Sequence, residues 1–288
     1  MTIILSYGNT PTTIEINPPQ YGYSVGINMA MHIKDTSDGK IAIYDKGVAH
    51  DYRTLSLSFL LNKTMHNSLM GFFNSQAIAR GTGFTMKLGT NPTGFYPSGP
   101  DKGDVGDFLM QLMAPPIETT YRYNPWKYFV SKLLIKIVAA PSYSLPSRDG
   151  YSEGDFSITA YGQTELTGLR FPENGLELRT IPAISTVVTQ YGIPQVLDSG
   201  NNADSSECDF DIVANHPNMA ALVHEITNHV RGTSFLINSH SSILPFGVLK
   251  EGYDCYAKLT DSKLVITHNS ETEFTTSIKT KLDSLVAQ

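Results

Sequence analysis

The chain has 288 residues, of which 41% are hydrophobic, so it is long enough for one large domain or two of moderate size. A formal net charge of −6 and the lack of any Lys/Arg block argue against a nucleic-acid-binding surface. The opening MTIILSYG has no basic segment and no apolar run spans a bilayer, so we expect neither a targeting signal nor a membrane segment.

The first 140 residues predict strands around one helix. A strand is expected within residues 21–32, and a turn at Asp45 and Gly47 precedes a stretch whose apolar residues alternate. An amphipathic helix follows, capped by Asn62 or Thr64 and ended at Gly81. Its apolar face is formed by Met65, Leu69, Phe72 and Phe73.

A second set of the same signals follows 151 to 153 residues later. Asp45, Gly47 and Asn62 recur as Asp198, Gly200 and Asn215, and RGTGF at 80–84 recurs as RGTSF at 231–235. The second helix has an apolar face formed by Met219, Leu222, Val223, Ile226 and Val230. Because these signals recur in the same order, the sequence predicts an internal repeat.

The predicted fold is mainly β (α+β), with two tandem β-barrel or β-sandwich modules that each carry one flanking α-helix. SKLLI at 131–135 is matched with SKLVI at 262–266, which predicts about twenty extra residues in the first module. The predicted organisation is a first module at 1–140 with a Gly/Pro/aromatic-rich insertion at about 90–129, a connector at 141–180 with one strand, Phe156–Tyr161, and a second module at 181–288.

HEITNHV at 224–230 resembles the zinc-protease motif H-E-x-x-H, but its histidines are five residues apart. On an α-helix that spacing turns His224 and His229 roughly 140° away from each other, so we expect no metal site. The sequence also lacks a nucleophile elbow, a P-loop and a dinucleotide-binding motif. We therefore expect no catalytic residue, no cofactor and no enzymatic activity, and reduced, buried thiols at Cys208 and Cys255.

Aromatic side chains are concentrated in the insertion. Such residues on Gly/Pro-rich loops are typical of contact surfaces, although they can equally cover an open barrel end. The candidate protein-contact residues are Phe95, Tyr96, Tyr121, Tyr123, Trp126 and Tyr128.

Two strand-rich modules in tandem, each with one helix between strands, resemble the tail-tube modules of long-tailed and contractile bacteriophages and the two-module chains of baseplate hub and distal-tail proteins. The resemblance is one of organisation and covers roughly residues 15–140 and 180–280. It implies a structural virion protein of the tail tip or baseplate, assembled in the bacterial cytoplasm, whose ring joins the tail tube to the hub or spike.

The resemblance also implies the partners. These are further copies of the chain, either as a trimer with pseudo-sixfold symmetry or as a hexamer, the tail tube with other baseplate proteins, and DNA that passes through the lumen without specific binding. No membrane partner is expected. Two alternatives stay open: a receptor- or carbohydrate-binding virion protein that uses the aromatic residues, and a metal-dependent hydrolase that uses His216, His224 or His229.

Overall fold

The computed structural model describes most of the chain. The described residues are 2–8, 12–36, 40–75, 78, 80–88, 94–100, 106–113, 117–122, 127–141, 145–150, 152–154, 156–160, 162–163, 165–170, 176–181, 184–192, 194–198, 205–239 and 253–287.

Ten strands and helix α1 (Lys63–Phe73) are described in the first half of the chain. The strands are β1 (Ile3–Tyr7), β2 (Thr12–Ile16), β3 (Ser24–Asn28), β4 (Met31–Asp35), β5 (Ile41–Asp45), β6 (Tyr52–Leu61), β7 (Phe84–Leu88), β8 (Asp107–Leu112), β9 (Glu118–Arg122) and β10 (Lys127–Ala139), with a single 3-10 turn at Val48–His50.

The described part of the second half forms ten further strands and helix α2 (His216–Glu225), which runs into a π-helical segment, Ile226–Val230. The strands are β11 (Phe156–Ala160), β12 (Leu166–Leu169), β13 (Leu176–Ile181), β14 (Ile184–Val188), β15 (Pro194–Asp198), β16 (Ser205–Ala214), β17 (Phe235–Ser239), β18 (Tyr253–Leu259), β19 (Lys263–His268) and β20 (Phe274–Ala287).

The strand pairings of the two halves correspond one to one among the described residues. β1 pairs with β2 and β7, and β10 pairs with β6, β8 and β9, while β3–β6, β4–β5 and β7–β8 complete the first set. Adding ten to each strand number gives every pairing of the second set. One pairing joins the sets, β3 with β19.

Each half has its own hydrophobic core beneath its helix. Leu69, Phe72 and Phe73 of α1 belong to one buried cluster, and Met219, Leu222 and Val223 of α2 belong to the other. Both helices begin in the same way, because the side chains of Asn62 and Asn215 accept hydrogen bonds from the N–H groups of Met65 and Asn218. The alternating strands therefore form a sheet that needs one helix per half to cover its apolar face.

The prediction of a mainly β fold with few helices is confirmed, whereas the division into two modules stays a prediction. Cys208 is buried, as expected, and the side chain of Cys255 lies outside the described part. No described helix has both the length and the apolar character needed to span a membrane.

The region between the predicted modules is not a connector with one strand. Residues 141–180 hold β11, β12 and most of β13. β11 pairs with β17 as β1 pairs with β7, so this region belongs to the sheet of the second half. The one predicted strand, Phe156–Tyr161, corresponds to β11, whereas the alternation in the other strands was obscured because they are short and lie next to glycines.

The predicted insertion at about 90–129 is also wrong in extent, because it contains β8 and β9, the counterparts of β18 and β19. The starts of β7 and β10 are 43 residues apart (84 and 127), against 39 for β17 and β20 (235 and 274). SKLLI lies in β10 and SKLVI in β19, two strands that do not correspond. The match arose because short alternating strands resemble one another regardless of their place in a sheet.

Candidate assembly site at the junction of the two halves

The junction is built on the antiparallel pairing of β3 with β19. Its register places Gly26 opposite Val265 and Val25 opposite Ile266. Residues of the first half also enter the second core, since Ile27 and Met29 are buried in it and Met31 packs against it. The two halves therefore share backbone hydrogen bonds and apolar contacts.

Arg231, at the end of the π-helical segment, forms the main polar contact across the junction. Its Nε and Nη2 atoms donate to both carboxylate oxygens of Asp45, at 2.9 and 2.6 Å. Its Nη1 and Nη2 atoms donate to Asp51, at 2.5 and 3.1 Å. The Arg231 side chain is only 3% exposed, so two carboxylates from the first half hold a buried cation from the second.

The local backbone explains why Arg231 reaches Asp45 and Asp51. The N–H of Arg231 donates to the carbonyl of Ile226, five residues earlier, which is the π-helical bond pattern. Gly232 then adopts φ +74, and a Cβ at this position would lie 3.4 Å from Cβ of Asp45. The RGT segment is therefore packed closely against the first half.

The mutual hydrogen bonds favour the charged forms of this pair. The hydrogen bond from Arg231 lowers the pKa of Asp45 more than burial raises it. Burial alone lowers the pKa of Arg231, but the hydrogen bonds to Asp45 and Asp51 outweigh it and raise the pKa overall.

Aromatic rings and histidines fill the interior beside this contact. His268 stacks on Tyr23 at a centroid distance of 4.3 Å, and Tyr96 stacks on His216 at 4.3 Å. His268 is fully buried, and neither ring nitrogen has a hydrogen-bond partner in the described part of the chain. Burial, with a smaller contribution from His216, lowers the pKa of His268 to about 3, so its ring is neutral near pH 7.

Two of the candidate contact residues lie in this interior. Phe95 is 3% exposed and packs edge-on against Tyr23, while Tyr96 packs against the core of the second half. The prediction that Phe95 and Tyr96 form a contact surface is therefore corrected: these residues cover the core. They lie in the interior because their loop runs back over the junction, where Tyr23 donates to the carbonyl of Gly94 at 2.8 Å.

The remaining candidate contact residues differ from these. Tyr121 is 44% exposed and packs against Tyr128, which stacks on His66 at 4.4 Å. These three rings lie at the β9 side of the first half, and a contact role for Tyr121 and Tyr128 stays a prediction. Tyr123 and Trp126 lie outside the described residues.

The geometric argument against a histidine pair is wrong. The π-helical segment begins after His224 and contains His229, and the ring centroids of the two histidines lie 5.6 Å apart. An α-helix would have separated them, but the wider π turn places residues five apart on the same side. No group of three His, Cys, Asp or Glu side chains in the described residues could hold a metal ion.

The sequence did not single out Asp51 or His268, and it showed Asp45 and Arg231 only as repeat markers. The recurrence of RGT pointed to Arg231, yet Arg80 is identical in sequence and is exposed. Arg231 is buried and Arg80 is exposed because only Arg231 faces the other half of the chain, and sequence spacing does not reveal which arginine has such a neighbour.

No family model matches the sequence, and no curated protein matches it. Among solved structures, a chain from the tail of an empty gene transfer agent particle with C6 symmetry matches at 13% identity and a TM-score of 0.26, over 46% of this chain and 96% of that one. A chain from the virion of a native gene transfer agent particle matches at 15% identity and the same TM-score, over 46% and 95%. Similarity this low carries no argument about fold or function.

Replacing Arg231 with Met is expected to lower the free energy of unfolding by about 2–4 kcal/mol, because Asp45 and Asp51 would remain close together without their cation. Arg80→Met is the matched control and should change the unfolding free energy of the dissociated single chain by less than about 0.5 kcal/mol, since Arg80 is exposed there. Urea unfolding of both variants measures this difference, and equal losses would contradict the assigned role of Arg231.

The pH dependence of stability should reveal the buried His268. Its pKa falls from 6.5 to about 3 on folding, so the unfolded chain binds the extra proton below pH 6.5. The contribution of His268 to the free energy of unfolding is fully present above pH 6.5 and is lost as the pH falls towards 3. At pH 5 the loss is about 2 kcal/mol. His268→Phe should remove this part of the change in unfolding free energy with pH, measured by urea unfolding between pH 7 and 5. An unchanged pH dependence would contradict the burial of a neutral imidazole.

Proposed function

We propose that the chain is a structural ring protein of a bacteriophage-type tail, acting at the tail tip or baseplate. It has two modules, residues 1–140 and about 150–288, and it assembles head to tail with further copies of itself. The proposal gives it no enzymatic activity and no cofactor. Its place is in the virion, after assembly in the bacterial cytoplasm.

The repeated pairing pattern with one pairing across the halves carries this proposal. Because β3 of one half pairs with β19 of the other, the two contacting surfaces are different, and the contact is heterologous. The counterparts of these strands, β13 and β9, stand at the other side of each half. A heterologous contact that is repeated produces either a closed ring or an open filament.

Closure into a ring connects this arrangement with a tail. Three chains with two modules each supply six similar modules, so a trimer could join a sixfold tail tube to a threefold hub or spike. Six chains would instead supply twelve modules. The trimer is favoured because the modules that the sequence resembles form sixfold rings.

The resemblance of organisation supports the remainder of the proposal. Rings of tail-tube modules enclose a channel, and in this account the ring lines the path of DNA without binding it specifically. The net charge of −6 agrees with a lumen that does not retain DNA. The structural neighbours belong to gene transfer agent particles, the same kind of assembly, although their TM-scores are too low to add weight.

Neither alternative is favoured by a specific observation. Two of the aromatic residues proposed for carbohydrate binding, Phe95 and Tyr96, pack in the interior. The histidines proposed for a hydrolase are divided, since His216 stacks on Tyr96 in the junction while His224 contacts His229.

Native mass spectrometry of the purified chain tests ring formation. We expect a single closed species near three times the 31.6 kDa chain, with a hexamer as the other closed form. Immunogold labelling of particles from the source should then mark one end of the tail. A chain that stays monomeric at tens of micromolar, and that never labels tails, would contradict the proposal.

A further inference from the structure

We infer that the contact between neighbouring chains repeats the contact between the two halves of one chain. The β9 side of one copy would dock on the β13 side of the next copy. This inference rests on the proposed function, since it identifies the surfaces that close the ring. It commits to a second copy of this chain as the occupant of both surfaces.

Each of the two surfaces has a strand with one edge that is unpaired among the described residues. β9 pairs with β10 alone and β13 pairs with β16 alone among the described residues, whereas their counterparts β19 and β3 pair with each other. The side chains of Glu118, Thr119 and Thr120 on β9 are exposed. Unpaired backbone groups on exposed edges favour strand addition from another chain.

The internal junction fixes the register that this pairing would have. Thr119 of β9 and Ile266 of β19 occupy equivalent positions in the two halves. Thr119 pairs with Val130 and Ile266 pairs with Thr276, and these two partners in turn pair with equivalent residues of β6 and β16. Likewise Gly26 and Arg179 correspond through Thr54 and Glu207. Within the chain, Val265 faces Gly26. In the inferred contact between copies, the equivalent residues Glu118 and Arg179 therefore face each other, and their charges are opposite.

The charges near the two edges are complementary. The β9 side carries the cations Lys127 and Lys132 and a single described carboxylate, Glu118, which bonds to Lys132 at 3.1 Å. On the β13 side, Arg179 is surrounded by the carboxylates of Glu177, Glu207 and Asp209, at 2.9, 4.0 and 3.4 Å. A basic surface would thus meet an acidic one.

The arginine contact of the junction has a counterpart as well. Arg80 occupies the position of Arg231, is exposed, and makes no ion pair with the described residues. Asp198 ends β15 as Asp45 ends β5. In the inferred contact Arg80 of one copy binds Asp198 of the next copy, as Arg231 binds Asp45 within the chain.

A hairpin gives a further agreement. In the first half the β4–β5 hairpin reaches the second half, where Asp35 binds Lys281 at 3.1 Å. The corresponding β14–β15 hairpin exposes apolar side chains in the single chain, Val187 (48%), Val188 (65%), Tyr191 (80%) and Val196 (66%). Contact with the next copy would remove this apolar surface from water.

Cysteine cross-linking tests the register. Glu118→Cys combined with Arg179→Cys, oxidised with copper-phenanthroline, should give disulfide-linked dimers and trimers on non-reducing gels. Glu118→Cys with Glu177→Cys is the control, because its residues lie two positions out of register, beyond the usual Cα separation of a disulfide. The three side chains involved are exposed, and the melting curve of each variant checks its folding.

Charge exchange tests the arginine contact in the same protein. Arg80→Glu should weaken ring association at least about tenfold at low salt, and adding Asp198→Arg should restore most of it. A ring in native mass spectra with no register-specific cross-link and no effect of Arg80→Glu would overturn this inference alone. A chain that is monomeric throughout would instead overturn the proposed function.

Discussion

The pairing of β3 with β19, closed by Arg231 between Asp45 and Asp51, is the interaction on which this structure depends. Exposed strand edges are open to uncontrolled pairing, and this chain satisfies one such pair within itself. The arginine contact adds directional specificity, because the planar guanidinium group of Arg231 must meet two carboxylates at the correct angle. Among the described residues, β9 and β13 each keep one strand edge that has no partner strand.

The junction also shows how one design of half-chain can carry different side chains on equivalent surfaces. Where the second half buries His268 against Tyr23, the first half has the partly exposed Tyr121 at the corresponding position. Where the second half buries Arg231, the first half exposes Arg80. A contact within one chain never separates, so it can be apolar and tightly packed. A contact between chains must stay hydrated before assembly, which favours the charged and polar residues found on β9 and β13.

The sequence predicted those parts of the fold that depend on local periodicity. The apolar faces of both helices followed from helical spacing, and the cap at Asn62 followed from its residue type. Strand β11 was predicted, at Phe156–Tyr161, but was assigned to a connector, and β12 was not recognised because it has only four residues. The extent of the insertion was misjudged because SKLLI and SKLVI resemble each other without corresponding.

The site was harder to predict than the fold. Spacing alone assumed an α-helix at His224 and His229, and the π turn that changes their relation depends on packing near the junction. Arg80 and Arg231 have the same local sequence, so only the three-dimensional neighbours distinguish them. The aromatic residues likewise divide into interior and surface sets according to whether their loop meets the other half, as Tyr96 does.

A reconstruction of the assembled ring by electron cryomicroscopy, calculated without averaging the two halves of the chain, tests the central claim most directly. The account predicts that the rotation relating the first half to the second within a chain is repeated, within a few degrees, between the second half of one chain and the first half of the next, with β9 beside β13. A ring in which β9 and β13 face solvent, or in which neighbouring chains meet through other surfaces, would contradict it.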